Sequence, residues 1–257
     1  MTYKRKFYED QIEGSLRSAE EVVPVIIDMV KPRSVVDVGC GVGTWLSVFL
    51  KHGVEDVLGL DGSHVPTDML MIPAEKFRAV DLRSDWGLER RFDVAMSLEV
   101  AEHLPPDAAP AHVAALTRLA PVVVFAAAVP FQGGTDHVNE QWPRYWLDLF
   151  KQQGFVAVDA IRPRIWDNRK VEAFYRQDLL VYVRRDAFEP YPQLAVARLR
   201  THENMLSIVH PVIYTGRDQY PLAPVPHLLM WTLRLGAGRM KQRVRDLFAK
   251  LAKKIKG

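Results

Sequence analysis

Ser34-Val-Val-Asp-Val-Gly-Cys-Gly-Val-Gly-Thr-Trp45 is the stretch of sequence that decides the fold. Its valines have the spacing of a short buried strand, and the apolar residues from Trp45 onward have the spacing of a helix. Gly39, Gly41 and Gly43 stand between these two elements. Glycines at such a junction let the backbone approach a ligand more closely than any side chain would allow. The spacing G-x-G-x-G differs from the G-x-G-x-x-G of dinucleotide-binding folds, and it predicts a site for another nucleotide-type ligand.

The composition is that of a globular protein in a reducing compartment. The chain has 257 residues, of which 48% are hydrophobic and 25% are charged. This length fits one domain of about 180 to 200 residues with extensions, or at most two domains. Cys40 is the only cysteine, so no internal disulfide is expected. The first residues lack the apolar run of a signal peptide, and no apolar stretch approaches the roughly 20 residues that span a bilayer. We therefore expect a cytoplasmic protein.

The charge is distributed unevenly along the chain. Residues 239–257 contain eight Lys or Arg residues and one Asp, a net charge of +7, which leaves −4 for residues 1–238. Because enzymes that act on nucleic acid usually carry positive charge around the active site, nucleic acid is not the expected partner. The apolar residues of 239–257 recur with the period of an amphipathic helix. This basic helix would dock on the body or on a partner chain, or it would attach the protein peripherally to the inner face of a membrane.

Two further stretches are predicted to be strands that end close to acidic residues. Asp56-Val-Leu-Gly-Leu-Asp-Gly-Ser63 predicts a second strand that ends at Asp61, and Phe77-Arg-Ala-Val-Asp-Leu82 predicts a third. Ligands of open α/β sheets lie beyond the carboxyl ends of the strands. A carboxylate at Asp61 can therefore accept hydrogen bonds from both hydroxyls of a ribose.

The stretch Arg91-Phe-Asp-Val-Ala-Met-Ser-Leu-Glu-Val-Ala-Glu-His-Leu104 joins a strand to a cluster of ionisable residues. Alternating apolar residues predict a central strand that ends near Ser97. Glu99 and Glu102 follow it and are three residues apart, so a helical turn would point both carboxylates in one direction, with His103 beside them. Five strands with intervening helices by residue 130 predict a doubly wound sheet.

Together these stretches resemble the class I S-adenosylmethionine (SAM)-dependent methyltransferases over about residues 30–185. Asp37 and the glycine turn match motif I of that family, and residues 92–104 match motif IV. The resemblance implies a seven-stranded, doubly wound, mostly parallel α/β sheet of Rossmann-like type, whose last two strands, Phe155–Ile161 and Leu179–Arg184, are antiparallel. It also implies SAM as the cofactor. The implied cofactor-binding residues are Asp37, Gly39, Gly41, Gly43, Asp61, Asp81, Leu82 and Ser97, with Asp81 and Leu82 at the adenine.

The acidic cluster resembles the metal site of the small-RNA 3′-terminal 2′-O-methyltransferases. This resemblance implies metal ligation by Glu99, Glu102, His103 and His137, and a mixed carboxylate and imidazole set suits Mg²⁺, Mn²⁺ or Zn²⁺. A bound cation would lower the pKa of an acceptor hydroxyl, with Glu102, His103 and His137 as the catalytic residues. Without a metal, His103 or His137 would act as a general base, or the acids would only cap the next helix and shape the cofactor pocket.

The acceptor is expected to be a hydroxyl of a sugar or glycan. The Gly-Thr-Trp-Leu of motif I, Glu-Val-Ala-Glu-His-Leu104 and Gly133-Gly-Thr-Asp-His-Val-Asn-Glu-Gln-Trp142 resemble methyltransferases found with polysaccharide assembly enzymes. A long connection at 162–177, rich in Arg and aromatic residues, is expected to bind the acceptor. Two alternatives are methylation of the 3′-terminal ribose of RNA, and a catalytically silent SAM-binding protein that acts as a membrane scaffold.

The chain divides into four parts along its length. They are an N-terminal extension (1–30), the methyltransferase domain (31–187), a proline-rich extension that wraps the body (188–238), and the basic amphipathic helix (239–257). The N-terminal extension is expected to contain one helix, Ser15–Met29, interrupted by Pro24. Its aromatic residues Tyr3, Phe7 and Tyr8 would either form a lid over the cofactor or pack on the body.

Overall fold

A computed structural model describes residues 5–84 and 86–216, and it contains a seven-stranded sheet covered by helices on both faces. The strands are β1 (Ser34–Val38), β2 (Asp56–Asp61), β3 (Phe77–Ala79), β4 (Val94–Leu98), β5 (Val122–Ala126), β6 (Phe155–Val158) and β7 (Leu180–Arg184). The helices are α1 (Arg5–Val30), α2 (Thr44–Lys51), α3 (Ala109–Leu119), α4 (Pro143–Gln152), α5 (Arg162–Ile165), α6 (Ala173–Asp178), α7 (Pro192–Arg200) and α8 (Pro211–Thr215). Tyr3, the extension beyond residue 216 and the predicted basic helix at 239–257 lie outside the described residues.

The order of the strands creates a crevice at the centre of the sheet. The order is β3-β2-β1-β4-β5-β7-β6, and all neighbouring pairs are parallel except that β7 is antiparallel to both β5 and β6. The chain therefore runs outward from β1 to β3 and returns to β4 on the other side of β1. This reversal separates the loops that follow β1 and β4, and ligands of such sheets bind between those loops. The predicted doubly wound, mostly parallel sheet is confirmed.

Alternate residues of the central strands face two hydrophobic layers. Val35 and Val94 pack in the layer of α1 and α2, and Val36 and Val123 pack in the layer of α3 and α4. Because both faces are covered, these strands are nearly continuous apolar runs. A polar side chain inside such a strand, as at Asp37, therefore needs a partner or a function to offset its loss of water.

α1 is longer than the sequence predicted and is not interrupted. It begins at Arg5 instead of Ser15, and it continues through Pro24 to Val30. The predicted interruption is wrong because Val22 and Ile26 are fully buried in the layer shared with α2, and this burial outweighs the hydrogen bond that proline cannot make. Within the ranges 5–84 and 86–216, no helix is both long and apolar enough to cross a bilayer.

A buried arginine joins the last strands to the chain that follows them. The Arg162 guanidinium forms an ion pair with Asp159 at 2.6 Å and donates to the carbonyl oxygens of Gln177 at 3.0 Å and Leu206 at 2.8 Å. Leu194 and Leu206 are themselves buried. Residues up to Ile213 therefore form one compact unit with the sheet.

Candidate active site

The turn after β1 requires glycine for two separate reasons. Gly39 and Gly43 have φ angles of +84° and +82°, which residues with a side chain rarely adopt. A Cβ atom at Gly39 would also lie 2.2 Å from Val100 Cγ2, and one at Gly43 would lie 2.9 Å from Ile72 Cγ1. The turn is anchored to β2, since the N–H of Gly39 donates to the carbonyl of Leu60 at 2.7 Å. Bare backbone is therefore held at the end of β1, facing the crevice.

Gly39→Ala is expected to destabilise the protein more than Gly53→Ala, which is a matched control. Both glycines have nearly the same φ, +84° and +85°, but a Cβ atom at Gly53 would meet nothing within 4 Å. Gly53→Ala should lower the free energy of unfolding by about 1 to 2 kcal/mol from backbone strain alone. Gly39→Ala should lower it by about 1 to 3 kcal/mol more, because of the clash with Val100. Equilibrium urea unfolding measures both, and equal losses would contradict the packing at Gly39.

Two buried carboxyl groups flank the glycine turn. Asp61 lies at the end of β2, and its carboxylate accepts hydrogen bonds from the N–H of Gly41 at 2.7 Å and from the N–H of Gly62 at 2.6 Å. Asp37 lies in β1, and burial together with the charge of Asp61 raises its pKa to about 7. Burial also raises the pKa of Asp61, despite its two backbone hydrogen bonds. Both carboxyl groups line the cavity, so a ligand that brings hydroxyl or ammonium donors would relieve their desolvation.

The other predicted cofactor residues differ in their placement. Asp81 and Leu82 line the cavity, beyond β3, and the exposed Asp81 carboxylate is paired with Arg83 at 2.9 Å. Ser97 lies apart from them: it is fully buried, it is not among the residues lining the cavity, and its hydroxyl lies 3.1 Å from His112 Nε2. The reason is the alternation of a strand, because Ser97 is on the opposite face from Met96 and points toward α3.

One cavity of about 1340 Å³ joins the glycine turn to the loops after β4 and β5. Its volume exceeds the ~300 to 1000 Å³ of a typical ligand pocket, so it can hold a donor and an acceptor together. Tyr8 of α1 lines it and is buried against Val42 and Val65, so this aromatic both packs on the body and covers the cavity. The predicted acceptor loop contributes Glu172 and Tyr175.

Glu102, His103 and His137 meet on the wall of this cavity. Each residue offers one ligand atom, and these three atoms all lie within 4.8 Å of one another. Glu102 and His103 belong to a short 3₁₀ turn, Ala101–His103, and the carbonyl of Glu102 accepts the N–H groups of Val138 at 2.9 Å and Asn139 at 3.0 Å. These two bonds dock the loop after β5 against the turn. The rings of His103 and His137 are consequently edge to face, with centroids 4.9 Å apart.

The protonation states of this group suit ligation of a cation. Glu102 is fully buried, and neither carboxylate oxygen has a well-aligned hydrogen-bond partner in the described part of the chain. Burial raises the pKa of Glu102 to about 7. Burial, followed by the neighbouring His137, lowers the pKa of His103, so that ring is neutral near pH 7 and keeps a lone pair. A buried acceptor without a donor is costly, and a bound cation or donor group would remove that cost.

Glu99 does not join the other three predicted ligands. It precedes the 3₁₀ turn and has a positive φ of +56°, so Glu99 and Glu102 do not lie on one helical turn as predicted. Its carboxylate instead accepts a hydrogen bond from Gln132 Nε2 at 3.1 Å, while Oε1 has no well-aligned partner. Burial and then the charge of Glu102 raise the pKa of Glu99 well above its usual range. Glu99 therefore lies near the group of three without belonging to it.

Glu140 fixes the loop that carries His137. Its carboxylate accepts the N–H groups of Phe131 at 2.8 Å and Gly133 at 2.7 Å, and it lies 3.0 Å from His137 Nδ1. Burial raises the pKa of Glu140, but the bonds with His137 and the two backbone groups outweigh burial and leave that pKa below its ordinary value. One carboxylate thus sets both the position of the loop and the orientation of the His137 ring.

Sequence reasoning missed one ionisable residue next to this group. Asp178 is buried at the end of α6, neither of its carboxylate oxygens has a well-aligned partner, and burial raises its pKa, as does the charge of Glu102. The two residues are far apart in sequence, so no local spacing connects them. The only available signal was an acidic residue directly before the apolar run of β7.

Carboxylates dominate the lining of the cavity. Seven acidic residues line it: Glu13, Asp37, Asp61, Asp81, Glu99, Glu102 and Glu172. The lining arginines are Arg17 and Arg83, and each is already paired with one of these acids, Arg17 with Glu172 at 2.6 Å and Arg83 with Asp81. Three histidines complete the ionisable residues named in the lining, and no lysine is among them. An anionic ligand would therefore find no unpaired permanent cation in this part of the structure.

The doubly wound sheet, the bare glycine turn and the two strand-end acids define a SAM-dependent methyltransferase. A methyltransferase domain model matches residues 19–156, just over half of the chain. The chain belongs to this methyltransferase domain family. No curated protein matches the sequence.

Solved structures of methyltransferases have the same fold. The sugar N-methyltransferase KedS8 from a Streptoalloteichus species is 17% identical, and the match covers 72% of this chain and 94% of that one with a TM-score of 0.56. An O-methyltransferase family protein from Burkholderia thailandensis is 13% identical, and the match covers 72% of this chain and 61% of that one with a TM-score of 0.55. At these identities the likeness concerns the fold alone.

Proposed function

We propose that the protein transfers the methyl group of SAM to a hydroxyl group of a sugar or glycan, assisted by a divalent cation. The observation that carries the proposal is the group of Glu102, His103 and His137, which meets at the wall of the cavity that the glycine turn also lines. One carboxylate and two imidazoles that converge in this way, with no well-aligned donor to the carboxylate in the described part of the chain, are a suitable ligand set for a divalent ion.

The glycine turn and its two acids would hold the donor. SAM supplies a methyl group on a sulfonium, which is already an activated leaving group. Gly39 and Gly41 leave room for it, and both line the cavity. Asp61 keeps lone pairs on its carboxylate besides those used by Gly41 and Gly62, and these can accept the ribose hydroxyls. Asp37 is buried without a cationic partner, which favours a ligand that carries an ammonium group.

The residues of the metal group have separate roles in this proposal. Glu102, His103 and His137 would hold Mg²⁺, Mn²⁺ or Zn²⁺, and a cation bound there would lower the pKa of a hydroxyl beside it. The Glu140 carboxylate contacts Nδ1 of His137, which leaves Nε2 for the metal, and carboxylates commonly orient metal-binding histidines in this way. Without a metal, the neutral His103 ring could accept the hydroxyl proton as a general base. The lack of a well-aligned donor to the Glu102 oxygens favours the metal, because a base at His103 would not supply one.

An uncharged acceptor fits the charge of the lining. A sugar hydroxyl brings donors and acceptors of hydrogen bonds and no charge, whereas an RNA terminus brings phosphates into a lining with seven acidic residues, two paired arginines and no lysine. Binding to RNA also depends on basic groups that neutralise phosphates. The RNA alternative therefore predicts methyl transfer to the 3′-terminal ribose of a short RNA, and the glycan proposal predicts none, whether or not the basic residues 239–257 retain the RNA.

Chelation is expected to abolish methyl transfer and leave SAM binding intact. Dialysis against EDTA should remove at least about 90% of the activity on sugar acceptors, because the ion activates the acceptor. Isothermal titration should give the same SAM affinity before and after chelation, since the donor residues are separate from the metal group. Full activity after exhaustive chelation would exclude the metal, and an absence of SAM binding would overturn the whole proposal.

Direct binding of Mn²⁺ provides a readout that does not depend on activity. Electron paramagnetic resonance should show one bound Mn²⁺ per chain, and His137→Ala should weaken that binding at least about tenfold. His52→Ala is the matched control, because His52 is exposed at the end of α2 and lies outside the cavity lining. Equal Mn²⁺ binding by both variants would mean that His137 is not a ligand.

A further inference from the structure

Phe131 combines an exposed aromatic side chain with an unfavourable backbone conformation. Its side chain is 91% exposed, which makes it the most exposed large hydrophobic residue in the described ranges. Its φ is +73°, a left-handed conformation that is a clear outlier for a bulky residue. The ring gains no burial, and the positive φ strains the backbone, so the fold gains nothing from the side chain and bears the cost of the strain. Backbone strain of this kind is concentrated at functional sites.

The strained position is held by the residue that also orients His137. The Glu140 carboxylate accepts the N–H of Phe131 at 2.8 Å and contacts His137 Nδ1 at 3.0 Å. The N–H of Gln132 closes the turn by donating to the carbonyl of Val129 at 3.0 Å. A single carboxylate therefore fixes the backbone at Phe131 relative to the ring of His137.

Phe131 lies at the rim of the cavity. Residues 132–135, which follow it directly, all line the cavity, and so does Val138, whose side chain is 54% exposed. The rim on this loop thus presents apolar groups to solvent above a lining that is polar and acidic. An aromatic ring presented in this way can stack on the flat apolar face of a sugar.

We infer that Phe131 is a specificity-determining residue that stacks on a second sugar unit of the acceptor, next to the unit that receives the methyl group. This inference rests on the proposed function, since it concerns the acceptor of that same site. It narrows the substrate class to oligosaccharides or glycoconjugates, because a single sugar that reached the metal group would leave Phe131 uncovered. The Glu140 contacts hold the backbone that carries the ring in place before the acceptor binds.

The test compares acceptors of one and two sugar units. A panel of methyl glycosides of common hexoses and deoxyhexoses, each with its corresponding disaccharide, is assayed with methyl-tritiated SAM. For the sugar that is methylated, the wild type should prefer the disaccharide by about tenfold in kcat/KM, equivalent to about 1.4 kcal/mol. Phe131→Ala should reduce that ratio to about one, mainly through KM for the disaccharide, and Phe131→Trp should preserve it.

Two controls separate this role from a structural one. Leu199→Ala removes another highly exposed apolar side chain, 85% exposed on α7, and should leave the disaccharide preference unchanged. Phe131→Gly should raise the melting temperature, because glycine adopts the positive φ without strain, and should lose the preference as the alanine variant does. Loss of activity on both acceptors in equal proportion, or a preference that survives in Phe131→Ala, would overturn this inference alone. No transfer to any sugar, with SAM still bound, would overturn the proposed function and this inference with it.

Discussion

Glu102→Gln is expected to lower the rate of methyl transfer by at least about a thousandfold while SAM affinity stays within about threefold. Glutamine keeps the shape of the side chain but removes the charge that would bind a cation or stabilise a protonated histidine. The variant should fold at least as stably as the wild type, because burial already raises the pKa of Glu102 to about 7 and a neutral group costs less to bury. Methyl transfer, isothermal titration with SAM and thermal melting measure the three quantities.

His137→Ala should have the same pattern of effects, since it removes a second member of the group. Glu55→Gln and His52→Ala are matched controls, because both side chains are exposed and outside the cavity lining. A normal rate in either site variant would show that the reaction does not use this group. A parallel loss of SAM affinity would show that the group supports the cofactor instead of the acceptor.

Asp61→Ala is expected to weaken SAM binding by at least about a hundredfold, equivalent to about 2.7 kcal/mol. The wild-type carboxylate accepts the N–H groups of Gly41 and Gly62, and hydrogen bonds to a charged group contribute about 1.5 to 3 kcal/mol each. Its removal would leave two partly buried N–H groups without an acceptor and would release the turn that holds the donor. Isothermal titration with SAM measures the effect directly.

Asp56→Ala is the control for that change, because Asp56 begins the same strand, is exposed and lies outside the cavity lining. Its SAM affinity should equal that of the wild type. If Asp61→Ala also kept its affinity, the strand-end acid would have no part in binding the donor. Because Asp61→Ala also disturbs the turn, thermal melting is needed to show that the variant is folded at the temperature of titration.

The sheet, and the placement of Asp37, Gly39, Gly41 and Asp61 around one cavity, could be predicted from the sequence because their signals are local. The valines before Gly39, the acid at Asp61 and the bare turn lie in short segments whose spacing sets their structure. Parallel strands place their carboxyl ends at one edge, so the positions of these residues followed from the strand order. The side chain of Ser97 lies apart from the cavity because side chains alternate along β4, and the prediction used only the end of that strand.

The acceptor half depended on contacts between distant segments. The backbone at Glu99 has a positive φ, and its carboxylate bonds to Gln132. Neither feature can be predicted from the presence of a glutamate at this position. Asp178 comes next to Glu102 only when β7 inserts between β5 and β6. The strain at Phe131 depends on its bond to Glu140, nine residues along the chain. None of these features has a period or spacing that sequence reasoning could use.

The charge of the cavity lining has a consequence for the end of the reaction. SAM carries a positive sulfonium, and the product, S-adenosylhomocysteine, is a neutral thioether at the same atom. The lining contains seven acidic residues and no unpaired arginine, and those acids that are ionised attract the first more strongly than the second. Each methyl transfer therefore cancels part of the attraction that brought the nucleoside in. The same acids that favour binding of SAM therefore favour release of S-adenosylhomocysteine. The loss of the positive charge during methyl transfer thus promotes release of the product.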